Sequence, residues 1–224
     1  MRVFTLTIFV IAFLISPSAY ARNVNVGKST LSVSPPAGFC EVNKTNKSDS
    51  SWLTSVTSLL NGAGITLIAA FPNCREKTAM EKSNEFIISK IYISAPTAQI
   101  GQSSEKSLTD TCDELKTRTY SDQDKADLAK SAEQYANGNS SADAKALGVL
   151  EETKGEVCYV ATLQKVKTKA GAVVPMLALF AVINAHDNML FLYQYTLYAD
   201  ATSIPTALAN LKIIYSDFAA ANKK

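Results

Sequence analysis

The sequence is poor in the residues that most catalytic sites need. Its 224 residues hold one histidine, His186, so any imidazole base or proton shuttle has a single candidate. That histidine stands in Ala185-His186-Asp187-Asn188, between two apolar runs, where Asp and Asn are turn formers, and it reads as a surface hairpin turn. No G-x-S-x-G supplies a nucleophile elbow. Adjacent carboxylates such as Glu151-Glu152 alternate faces on a strand and do not converge on one substrate without a third element. The formal charge is only +2, and no segment concentrates Lys or Arg, so nothing attracts nucleic acid or an anionic membrane. These absences predict a chain without hydrolase or metal-dependent activity. No catalytic, cofactor-binding or metal-ligating residue is assigned, and no cofactor is expected.

Long apolar runs are scarce as well. Val3 to Ile15 is apolar, follows Met1-Arg2 and leads into SPSAYA, whose small Ala19 and Ala21 match what signal peptidase reads. Residues 1–21 are therefore expected to be a signal peptide, and 22–224 a single α/β domain. The run is shorter than the ~20 residues a bilayer span requires, and no stop-transfer segment follows, so no membrane anchor is expected. The stretch VVPMLALFAVIN at 173–184 leads into polar residues and reads as a buried strand.

All four cysteines, Cys40, Cys74, Cys112 and Cys158, lie in the expected mature chain, and an even count in an exported protein reads as two disulfides. They are far apart, with no C-x-x-C, which leaves zinc and thioredoxin-type chemistry without support. Sequence permits three pairings. Position favours Cys40 with Cys74, at the ends of two strands that would have to be neighbours, and Cys112 with Cys158, joining a helix to a strand.

Several fragments imitate motifs. In RNVNVGKST the GKST lacks the earlier glycine of a phosphate loop and the strand before it, and reads as a mobile N-terminal lead-in. Gly62-Ala63-Gly64 lacks the third glycine of a dinucleotide fingerprint and reads as a helix stop. Asp122, Asp124 and Glu133 occupy calcium-loop positions, but Asp127 stands where that loop needs glycine, and a solvated helix explains them. Tyr193, Tyr195 and Tyr198, with Tyr159, read as packing aromatics or as the lining of a ligand surface. Asn43, Asn46 and Asn139 head glycosylation sequons, which matter only in a eukaryotic host.

Along the chain, Thr30–Val33 reads as a strand that Pro35-Pro36 ends. A helix follows, capped by Asp49 or a neighbouring Ser, with Trp52, Val56, Leu59 and Leu60 in one stripe. Ile65–Phe71 is a strand, and so is the run EFIISKIYISA, with Ile87, Ile91 and Ile93 on one face and Phe86, Ile88 and Tyr92 on the other. Helical period holds from Ser104 to Asn137, with Leu108, Cys112, Leu115 and Thr119 aligned, a fresh cap at Ser121 and a loop at 137–143. Turn signals at Lys154-Gly155, Lys169-Ala170-Gly171 and His186-Asp187-Asn188 then divide four strands into an antiparallel meander. Its last two strands are apolar on both faces and need cover on both, part of it from a C-terminal helix carrying Ile204, Leu208, Leu211, Tyr215 and Phe218. The expected class is α+β, a mainly antiparallel central sheet with helices packed on its faces.

Two resemblances rest on particular residues. AVINAHDNMLFLYQYTLYAD followed by IPTALANLKIIYSDF resembles the close of Mog1/PsbP-like α/β/α domains, where a strand of the type L-F-x-Y-T-L precedes a packing helix. PPAGFC at 35–40, AAFPNC at 69–74 and GEVCYVATLQKVKTKAG at 155–171 resemble a family of small exported bacterial proteins, mainly alphaproteobacterial, without an assigned activity. The second resemblance brings no catalytic residues and implies a periplasmic or secreted home and a structural role for the cysteines. The first implies a non-enzymatic binding or adaptor module whose partner is another periplasmic or envelope protein, acting through a sheet edge or a cleft beside the meander. The other class is a small-ligand carrier, or an enzyme using Tyr, Ser and carboxylates without a motif.

Overall fold

The computed structural model describes residues 21–83, 87–102, 105–116, 144–167 and 171–223. Nearly all of the expected signal peptide, the stripe position Thr119, the helix cap at Ser121, the calcium-like run 122–133, the loop 137–143 with Asn139, and Phe86 lie outside these residues.

The chain opens with a hairpin, β1 (Arg22–Val26) and β2 (Ser29–Val33), paired antiparallel so that Val26 faces Ser29. This corrects the expected lead-in, because GKST spans the turn and the start of β2. Gly27 takes φ 59° in the two-residue loop, and a Cβ there would stand 3.1 Å from Cγ2 of Ile100. Glycine thus suits the conformation, and any Cβ there would also make Ile100 give by a few tenths of an ångström.

Helix α1 (Lys47–Gly62) follows, but its cap is Asn46, whose side chain accepts from the amides of Ser48 and Asp49. Asp49 is instead 1% exposed inside the first turn, where its carboxylate accepts from the Asn43 amide at 2.7 Å and pairs with Lys77 at 3.1 Å. Leu59 is 76% exposed and does not belong to the buried stripe expected for it. After β3 (Ile65–Pro72) comes α2 (Cys74–Ser83), which the apolar pattern did not announce. Met80 is its one buried apolar side chain among the described residues, so period carries no signal, and Asn73 starts it by accepting from the amide of Arg75. Then follow β4 (Lys90–Pro96), α3 (Glu105–Lys116), β5 (Ala144–Thr153), β6 (Val157–Lys167), β7 (Val173–Ala185), β8 (Asn188–Leu197) and α4 (Ser203–Ala221).

The described fold is α+β, a six-stranded antiparallel sheet in the order β3-β4-β8-β7-β6-β5, with the two-stranded hairpin and four α-helices. The meander β5 to β8 has the strand order its turn signals predict, and β8 then pairs with the distant β4. Register is continuous through the three interior pairings. It shifts only where an edge strand takes part, between Leu67 and Ala69 in β3 and at two places in β5.

One face of the sheet, with Ile91, Leu163, Leu177, Leu179, Ile183 and Leu190, is covered by α4 and the hairpin. Ile204, Ala207, Leu211 and Phe218 are the buried side of α4, and each large apolar side chain so buried contributes about 1.5–3 kcal/mol. Leu211, fully buried, is the position whose truncation to Ala would damage this layer most, by ~2–5 kcal/mol. On the other face α3 lays Leu108 and Cys112 against Cys158, Val160, Val182 and Met189, while α1 sets Trp52 6.1 Å from the ring of Tyr92.

Cys112 is bonded to Cys158 and Cys40 to Cys74. The first bond fastens α3 to β6. The second does not join neighbouring strands, because β2 and β3 belong to different sheets. Instead an isolated bridge between Phe39 and Asn73 brings the two segments together, with the Cys40 amide donating to Pro72 O at 2.9 Å and the Cys74 amide to Gly38 O at 3.0 Å.

Candidate functional site

Between α4 and the segment 34–39 a groove opens over β4 and β8. Segment 34–39 leaves β2 at Pro35-Pro36 and is pinned by the Cys40–Cys74 bond, so this wall is held in place at both ends. The opposite wall is one stripe of α4, with Asn210, Ile213, Ile214 and Asp217 falling at the three- and four-residue spacing of a helix face. The groove has a volume of about 410 Å³. It continues into a deeper, smaller cleft of about 110 Å³ that backs onto the buried Phe71, Ile91, Ile93 and Leu192, and the two share Pro36, Ala37, Ile214 and Asp217.

Its charged chemistry is sparse. Ile213 is 60% exposed at the rim, an apolar side chain left in solvent. Asp217 is the single charged residue among the described lining residues. Gln194 reaches the groove from β8, is 6% exposed, and its Oε1 has no hydrogen-bond partner among the described residues. A buried acceptor costs ~1–3 kcal/mol unless a donor reaches it, and no described protein group donates here. The groove thus offers apolar surface beside amides, hydroxyls and one carboxylate, and its described lining holds no Lys, Arg, His or Cys.

Gln194 and Asp217 were not singled out from sequence, although a signal existed. In β8 the inward residues run Leu190, Leu192, Gln194, and a glutamine where a period of two calls for an apolar side chain marks a polar group pressed into the core. Asn210, Ile213 and Asp217 likewise form a mixed stripe on an otherwise well-patterned helix.

The tyrosines divide between the two faces. Tyr193 and Tyr195 lie on the α3 side, in a connected run of rings with Phe180, Phe191, Tyr92 and Trp52, the ring centroids 5.0–6.1 Å apart. Burial pushes the Tyr193 phenol up to about 12, and that of Tyr195 higher still. Tyr159 is on the α4 side, edge-on to Tyr215, and Tyr198 is buried in that same core. They do not form one surface. Beside the ring run, Lys90 Nζ sits 5.2 Å over Tyr195 and donates to Ile87 O at 3.0 Å. Burial lowers its pKa to about 8, against the pull of Glu76.

The remaining candidates serve the fold. His186 and Asp187 take φ 49° and 61° in the β7–β8 turn. The His186 ring is half-buried, its Nε2 3.0 Å from Asn222 O, and because a carbonyl only accepts, Nε2 carries the proton. Glu151 and Glu152 point to opposite faces, where Lys212 and Lys116 hold them. Gly62 closes α1, and Gly64 at φ 72° turns the chain into β3. Asn46 is a helix cap and Asn43 accepts from both the amide and the hydroxyl of Thr45. Among the described residues no three His, Cys, Asp or Glu are arranged to hold a metal ion.

Compared with protein-family models, curated proteins and solved structures, the chain finds no match.

Proposed function

We propose that the chain is an exported periplasmic protein of Mog1/PsbP-like architecture that works by binding, without catalysis, as a module for another envelope protein, and that the groove beside α4 is its binding surface. The observation that carries this is Gln194, a buried acceptor with no donor among the described residues, on the floor of a groove whose rim exposes Ile213. The register shifts in both edge strands favour a cleft over a sheet edge, since an irregular edge is a poor template for an added strand. Two disulfides fit an oxidising compartment, and among the described residues no helix is long and apolar enough to cross a membrane. A small-ligand carrier is the second reading, favoured by the groove volume, which falls in the ~300–1,000 Å³ range of ligand pockets.

A photo-crosslinking side chain placed at Ile213, and in a separate variant at Leu59 on α1, tests the binding surface in intact cells. Protein adducts from position 213 and none from 59 are expected. Equal labelling at the two positions, or labelling from 59 alone, overturns the assignment.

A further inference from the structure

Resting on the reading of the groove as a protein-binding surface, we infer that its occupant is an extended peptide segment carrying a bulky apolar side chain next to a basic one.

Shape comes first. The wall of α4 runs from Asn210 to Ala221, which at 1.5 Å per residue is about 16 Å, the length of roughly five extended residues. The deeper cleft, at about 110 Å³, has room for three or four groups of the ~30 Å³ that a water molecule occupies. That is the size of one aliphatic side chain, and the apolar surface it would meet is that of Pro35, Pro36, Ala37, Ile214 and Ala221, since Phe71, Ile91 and Leu192 lie fully buried behind it.

Polarity selects the rest. Gln194 Oε1 is an acceptor facing no described donor, and an extended backbone supplies N–H groups at regular intervals. Asp217 borders both the shallow and the deep part, and the described lining holds no cation to balance it. A basic side chain therefore meets attraction there, and an acidic one repulsion. The apolar anchor and the basic residue must be neighbours, because Asp217 and Ile214 lie side by side on α4 at a spacing of three.

The test uses the oxidised mature chain and the capped hexapeptide Gly-Ala-Leu-Lys-Ala-Gly, followed by amide chemical shifts. Shifts at Ala37, Gln194 and Ile214 are expected. Replacing the peptide's Lys by Glu, or its Leu by Gly, should weaken binding about fivefold. Asp217→Asn should bring the Lys and Glu peptides to within about twofold of each other. Gln194→Leu should weaken the Lys peptide while raising the protein's own stability, which separates a lost contact from a damaged fold. No shift in the groove, or equal binding of the Lys and Glu peptides, overturns the inference. So does 1-hexylamine moving the same amides at lower concentration than any peptide, which would assign the groove to a small amphipathic amine. If these fail while position 213 still crosslinks to a protein, the groove remains a binding surface and only the peptide chemistry is wrong.

Discussion

Glu151 and Glu152 are consecutive residues of β5, and lysines from opposite sides of the sheet hold them. Lys212 of α4 donates to Glu151 at 2.6 Å, and Lys116 of α3 pairs with Glu152. Alternation along the strand sends one carboxylate to each face, so a single edge strand is tied to both helical layers. The two pairs are not equal, since Glu151 is 47% exposed and Glu152 only 17%. Lys212→Met is expected to cost no more than about 0.5 kcal/mol and Lys116→Met about 1 kcal/mol, read from urea midpoints at low and high salt. Equal costs would show that exposure does not rank them.

The two disulfides close sequence separations of 34 and 46 residues, and chain entropy gives each about 4 kcal/mol. Replacing either pair by Ala should lower stability by a similar amount. Their effects on the groove should differ. Loss of Cys40–Cys74 frees the wall at 34–39 and should move the amides of Ala37 and Phe39, while loss of Cys112–Cys158 acts on the opposite face and should leave them in place. Matching shifts in both variants would contradict this division.

Alkaline pH should first strengthen and then weaken the fold. Lys90 falls to about 8 on burial from 10.5, so between those values the unfolded chain binds the extra proton and stability rises with pH, by about 2 kcal/mol from pH 8 to 10. Tyr92, Tyr193 and Tyr195 are raised by burial. The stability their neutral forms supply is complete below pH ~10 and is lost as pH climbs through the folded values. Chemical denaturation across this range should give a maximum near pH 10, and Lys90→Met should flatten the rising limb while leaving the fall. A rising limb that survives in Lys90→Met would exclude this lysine as its source.

Asn222 ties the end of α4 to the hairpin. Its Oδ1 accepts from the Ser32 amide at 2.8 Å, and its Nδ2 donates to Ser32 O at 2.9 Å and Phe218 O at 2.8 Å. Asn222→Ala should cost about 2 kcal/mol, because two half-buried backbone groups of β2 lose their partner. His186→Ala removes one contact to the Asn222 carbonyl and should cost ~1 kcal/mol without altering the backbone. Hydrogen exchange of the β1–β2 amides should separate them, with loss of protection in Asn222→Ala alone.

The meander was legible because its signals are local. Lys154-Gly155 and His186-Asp187 stand at real turns, and the two-faced apolar runs of β7 and β8 announce cover on both sides. Helix α2 was not, since a cap at Asn73 and a run of charged residues carry almost no apolar period. The pairing of β4 with β8 joins segments about a hundred residues apart (Lys90 to Tyr195), and no local pattern encodes such a partnership. The groove is a product of that pairing, of the hairpin and of the Phe39–Asn73 bridge together. Only Gln194 was readable on its own, as a polar residue on an inward stripe.

The register shifts in β3 and β5 bear on how many copies live together. A regular edge offers the next molecule a straight row of amide and carbonyl groups, and proteins are exposed to that risk whenever they accumulate. Here both outermost strands are kinked, while the strands between them pair without interruption. Among the described strands the sheet is thus closed at both sides by an irregular edge, and concentrated solutions should resist fibril growth until one of those kinks is straightened.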